Sequence, residues 1–94
     1  NPADKRDAAL QELLSRFAAL GALREHDPSD PIVQEKISDL QSFISSCYYH
    51  CTNEILKSLG ELYVCDERMT RNIDQAGGAG TAAFVKAAID IYCA

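Results

Sequence analysis

The segment CYYHCTNE, residues 47–54, places two thiols, one imidazole and two phenols in five consecutive positions, 47–51. Cys47, His50 and Cys51 stand at i, i+3 and i+4, so a helix would offer all three from one face to a zinc ion. Cys65 or Cys93 would then be a fourth ligand. The same groups could act as a redox pair, as a cysteine nucleophile with His50 as base, or as the wall of a pocket. Zinc signatures space two knuckles well apart, whereas this cluster stands alone. A c-type haem site needs C-x-x-C-H, and the order here is different. No Asn or Asp is placed to orient the imidazole for nucleophilic catalysis, and no oxyanion-binding loop can be named. The glycines of AGGAG, 76–80, lack a following Lys-Ser/Thr and a βαβ context, so they read as a loop. Glu61, Asp66, Glu67 and Asp74 form no acid–base pair. The expectation is a protein that is not an enzyme and has no resident cofactor. Metal or redox sensing through Cys47, Cys51 and Cys65, with His50, stands as the alternative function.

The elements that position these residues read as helices. Leu10, Leu13, Leu14, Phe17 and Leu20 recur at helical spacing behind Asn1 as cap and Pro2 at the first helical position. HDPSDP, 26–31, is a loop, and Asp30 caps a second helix with the stripe Val33, Ile37, Leu40 and Ile44, continued by Cys47 and Cys51 if the helix runs that far, with a break expected near 50–52. That stripe directs Cys47 inward. Thr52 caps a third helix burying Ile55, Leu56, Leu59, Leu62 and Tyr63. A continuous helix would bring Asp66 into phase with that stripe, so a break at 65–66 with Asp66 as cap of a short fourth helix is expected. Met69 and Ile73 are its apolar positions, and Glu67 with Arg71 forms an i,i+4 pair. Thr81 is read as the cap of a last helix whose inward face is Phe84, Val85, Ala88, Ile89 and Tyr92. The fold class is therefore all-α, with about five short helices and no strand.

Composition bounds the function. The 94 residues make a single domain, 1–94, which buries roughly 60–65% of its unfolded surface. That supports one core, but not a core plus a large rigid empty cleft. Nine Lys and Arg against fourteen Asp and Glu give a net charge of −5, which disfavours direct binding to DNA phosphates. No apolar run is long enough to span a bilayer, so no membrane partner is expected. Without a signal-peptide pattern, the four cysteines read as reduced thiols in a cytoplasmic protein, and two disulfides of an exported domain are the other reading. The first residue is Asn1, not methionine, which suggests a domain cut from a longer chain.

One stretch carries more. LGELYVCDERMTRNID, residues 59–74, strongly resembles the signature L-G-x-M-Y-V-x-D-E-R-F-T-x-N-I-D of the TipA-type antibiotic-recognition domain of MerR-like transcription regulators. The likeness continues backward through YYHCTNEI and forward through GTAAFVKAAIDIYC, about 45 residues in all, while the first 45 residues match only in helical character. The resemblance implies a globin-like bundle without haem around a cleft for lipophilic, antibiotic-like compounds such as thiopeptides. It implies regulation of transcription, with DNA contacted only through an N-terminal domain missing from this chain and homodimerisation through a missing coiled coil. The side chains implied to face the cleft are Tyr48, Cys51, Tyr63, Met69 and Phe84. Gly60 is implied to allow close helix approach, Asp66 to cap, and Arg68 and Asp74 each to be a member of an ion pair. Two departures matter. Met69 replaces the signature phenylalanine and gives a softer wall. Ser58 stands where thiopeptide-trapping members carry a covalent-acceptor cysteine, so reversible binding is expected.

Overall fold

The computed structural model describes residues 2–94, with side chains from Asp4 onward. The cap expected at Asn1 lies outside the described residues. Five helices follow in order: α1 (Pro2–Gly21), α2 (Pro31–Cys47), α3 (Asn53–Cys65), α4 (Glu67–Gly77) and α5 (Thr81–Tyr92). The all-α bundle expected from the periodicity is the fold observed, and the described residues contain no strand.

The helix ends are set by local chemistry. Asp30 Oδ1 accepts from the Ile32 amide at 3.0 Å, and Thr52 Oγ1 accepts from the Ile55 amide at 3.2 Å. Asp66 ends α3 and starts α4: its backbone N–H donates to Leu62 O, while Oδ1 accepts from the Arg68 and Met69 amides at 2.9 and 3.1 Å. A single residue thus turns the chain and keeps its own carboxylate off the α3 stripe. The start of α5 differs from expectation. Its N-cap is Gly80, at φ +89°, which provides no side chain for capping. Thr81 lies one position further in, fully buried, with its hydroxyl donating to Gly78 O at 2.6 Å. The cap comes instead from α4, where Asp74 Oδ1 accepts from the Ala82 amide at 2.9 Å. Asp74 therefore serves as a cap. Among the described residues neither Arg68 nor Asp74 enters an ion pair, and Glu67 and Arg71 close no salt bridge.

α5 packs against all four other helices, and its Val85, Ala88 and Ile89 lie at the centre of the core. Phe17, Leu20, Val33, Ile37, Leu40, Leu56 and Ile73 close around them. Each such side chain contributes about 1.5–3 kcal/mol by leaving water. Two amide side chains tie α2 to this hub. Gln34 Nε2 donates to Ala88 O at 3.1 Å. Gln41 donates to Cys51 O at 3.0 Å and to Asn53 Oδ1 at 2.7 Å, and accepts from the Tyr92 hydroxyl at 3.0 Å. The Cys51 amide donates to Ser45 Oγ at 3.0 Å, so α2 side chains fasten the 48–52 turn. Gly60 faces Ile89, but a Cβ added there would lie 3.4 Å from the Ile89 side chain, an ordinary van der Waals contact, so the close approach expected at Gly60 is not what this position requires.

α1 and α4 make the closest backbone approach. A Cβ added to Gly21 would lie 2.3 Å from the carbonyl oxygen of Gly77, and one added to Gly77 would lie 2.9 Å from Phe17 O. Arg24 straps the same corner, its Nε donating to Gly21 O at 2.8 Å and its Nη1 to Ala79 O. Two apolar stripes are shorter than the periodicity suggests. Of the α1 stripe only Phe17 and Leu20 are buried, and on α3 Ile55 and Leu62 remain exposed. Cys47 is also exposed, because α2 ends there and the chain turns away at Tyr48 before the stripe can continue.

Gly21→Ala should cost about 2–3 kcal/mol, since the new methyl meets backbone rather than a movable side chain. A lowered urea midpoint with unchanged slope would show it. Asp74→Ala should cost about 1 kcal/mol through the lost α5 cap, and Arg68→Ala under about 0.5 kcal/mol. Equal losses in thermal unfolding would contradict the capping assignment.

Candidate ligand-binding groove

Upstream of the glycine contact, side chains hold α1 and α4 apart and leave a groove of about 590 Å3. That is within the usual range for small-molecule sites, about 300–1,000 Å3. Phe17 and Ile73 are buried and form the floor. Leu13, Leu14, Ala18, Met69 and Ala76 are half-buried and form the walls, and Leu10 stands at 47% exposure. Gln11, Ser15, Asn72 and Gln75 lie exposed along the rim. The residues recur at i+3 and i+4 on both helices, so each helix turns one continuous face to the groove.

The outer side of α1 is held separately. The Arg16 guanidinium lies 4.1 Å from the centroid of the Phe43 ring, a stacked contact worth about 1 kcal/mol. Arg16 Nε is 3.2 Å from Asp39 Oδ2 but makes no aligned hydrogen bond, so that pair is a loose electrostatic contact at a partly exposed site. Arg16 therefore attaches α1 to α2 and points away from the groove.

Of the five side chains expected at a cleft, Met69 lines this groove. Tyr63 is one layer deeper: it is 3% exposed, and its ring meets Phe17 edge-to-face at 5.3 Å between centroids. Burial pushes its phenol well above the ordinary range, so the hydroxyl stays protonated. Tyr48 is 49% exposed at the end of α2, its ring 6.2 Å from that of Phe43. Phe84 is half-buried against the core on α5. Cys51 is 3% exposed and borders a different hollow, an open polar notch with Ser42, Ser45, His50 and Asn53. Burial, and secondarily Cys93, pushes its thiol up, which lowers its thiolate fraction at neutral pH. Ser58 is exposed and its hydroxyl donates to Glu54 O at 3.2 Å.

The α1 half of the groove was not legible as a site. Leu10, Leu13, Leu14 and Phe17 read as an ordinary core stripe. The available signal was length, because a domain this small cannot cover five successive stripe positions on one long helix. The metal alternative finds no geometric support: Cys47 and Cys65 are exposed, Cys51 is buried, and no three His, Cys, Asp or Glu side chains converge among the described residues. No helix among them is long and apolar enough to cross a membrane.

The family that matches, over residues 2–92, is the TipAS antibiotic-recognition domain. The match includes α1 and α2, where sequence reading alone found only helical character. The chain is 37% identical over 91 residues to the HTH-type transcriptional activator mta of Bacillus subtilis, covering 97% of this chain and 35% of that protein. It is 41% identical over 78 residues to the HTH-type transcriptional activator TipA of Streptomyces coelicolor, covering 83% and 30%. The chain thus spans about a third of the length of these curated relatives. No solved structure matches it. With the match running from the first turn of α1 to the end of α5, the chain belongs to the TipAS antibiotic-recognition domain family.

Proposed function

We propose that the domain is the effector-binding module of a MerR-like transcription activator, and that a lipophilic antibiotic-type compound binds in the α1/α4 groove. The observation carrying this reading is a small-molecule-sized, largely apolar groove in a domain whose family is described as antibiotic-recognising. The two most informative relatives are named as transcriptional activators, which supports a binding role over a catalytic one. DNA contact and dimerisation would belong to other parts of the full-length protein.

The physical mechanism is a shift of population. α1 is held to the bundle chiefly by Phe17, Leu20, Arg16 and the glycine contact, while its Leu10–Leu14 face remains incompletely covered. A ligand seated there covers this face and stabilises the α1/α4 pairing. It can shift the equilibrium only by its differential affinity for the paired arrangement. Met69 contributes an adaptable wall suited to chemically varied ligands. Tyr63 supports the floor from behind through Phe17, while Tyr48, Cys51 and Phe84 lie outside the groove lining.

Titration with thiostrepton and a panel of hydrophobic antibiotics, followed by fluorescence, should reveal saturable binding. Ala18→Trp fills the groove from its half-buried wall and should weaken that binding at least tenfold, with the urea midpoint little changed. Absence of saturable binding across the panel would overturn the reading. Binding should be reversible. Cys51→Ser should retain affinity within about twofold, and denaturing mass spectrometry should recover protein free of ligand. With Ellman's reagent at pH 8, Cys47 and Cys65 should react quickly and Cys51 about tenfold more slowly or less.

A further inference from the structure

We infer that the groove selects ligands by charge, accepting neutral amphipathic molecules with amide or hydroxyl edges and rejecting cations and anions of similar size and hydrophobicity. The inference rests on the groove being the ligand site and adds a rule for what enters it. Charged residues make up 24% of the chain, yet none of the groove-lining side chains is Asp, Glu, Lys, Arg or His. Both helices that build it carry charges, and none of those side chains is among the groove-lining residues. On α1, Arg16 lies over the Phe43 ring on the side of α2. On α4, the Asp74 carboxylate is engaged with the Ala82 amide.

The polar groups that remain are neutral. Gln11, Asn72 and Gln75 each present an amide donor and acceptor, and Ser15 presents a hydroxyl. They lie exposed along the rim above the buried Phe17 and Ile73. A neutral ligand can place its apolar body on the floor and pair its edge groups with the rim. A charged ligand would surrender hydration without gaining a counter-charge, a loss that neutral amides only partly offset. The net charge of −5 draws cations toward the domain at long range, so rejection of cations has to be local, at the groove itself.

Three dyes of comparable size test the rule: neutral Nile red, cationic rhodamine 6G and anionic 1-anilinonaphthalene-8-sulfonate. Nile red should bind saturably, and neither charged dye should displace half of it at about ten times its concentration. Asn72→Asp should improve rhodamine 6G binding at least tenfold, and Asn72→Lys should do the same for the sulfonate dye. Both substitutions are at an exposed rim position, so folding should be retained. Displacement of Nile red from the unaltered domain by either charged dye at equal concentration would overturn charge selection. Persistence of Nile red binding in Ala18→Trp would instead remove the groove as the site, and the inference with it.

Discussion

The closest constraint in this domain is the contact between two glycines. Gly21 and Gly77 bring the ends of α1 and α4 together at a distance that no Cβ tolerates. Because the contact is backbone on backbone, it fixes where the two helices meet. Longer side chains upstream then fix how far apart they stand. The groove is the space these two distances leave, and its floor, Phe17 and Ile73, belongs to the same core that holds α5. The core and the groove thus share residues, which is economical in a chain of 94 residues. The core cannot be improved at Phe17 or Ile73 without reshaping the groove.

The second organising feature is α5, which touches every other helix and begins without a capping side chain of its own. Asp74 provides the cap from α4, between the groove residues Ile73 and Gln75. One short helix therefore lines the groove and anchors the central helix of the bundle. The 48–52 turn is tied into the same hub through Gln41, which links α2, the Cys51 carbonyl and Tyr92. The cluster of Cys47, Tyr48, Tyr49, His50 and Cys51 is explained as a fastened junction: one cysteine faces in, the other faces out, and the tyrosines remain exposed.

Much of this was legible in the residues. Helix number, the break at Asp66 and the caps at Asp30, Thr52 and Asp66 all follow from local chemistry, which the structure reproduces. Features that depend on two distant segments meeting were not legible. Gly21 reads as an interruption of a stripe until Gly77 is placed against it. Thr81 reads as a cap because nothing local reveals that Asp74 reaches Ala82. Cys47 fits the α2 stripe by period, but the helix ends beneath it. Met69 was expected at a cleft through family likeness, whereas Leu10, Leu13 and Leu14 read only as a core stripe, because an amphipathic leucine stripe looks the same whether a core or a ligand is to cover it.

The central claim is that ligand occupies the groove between α1 and α4. Met69 is the only methionine in the chain and lies in the groove wall. Labelling with 13C-methyl methionine therefore gives one methyl resonance that reports on this site alone. On titration with thiostrepton, or with another compound shown to bind, that resonance should shift saturably and show intermolecular Overhauser contacts to the ligand. Saturable binding by fluorescence with the Met69 methyl unmoved and without such contacts would contradict the account.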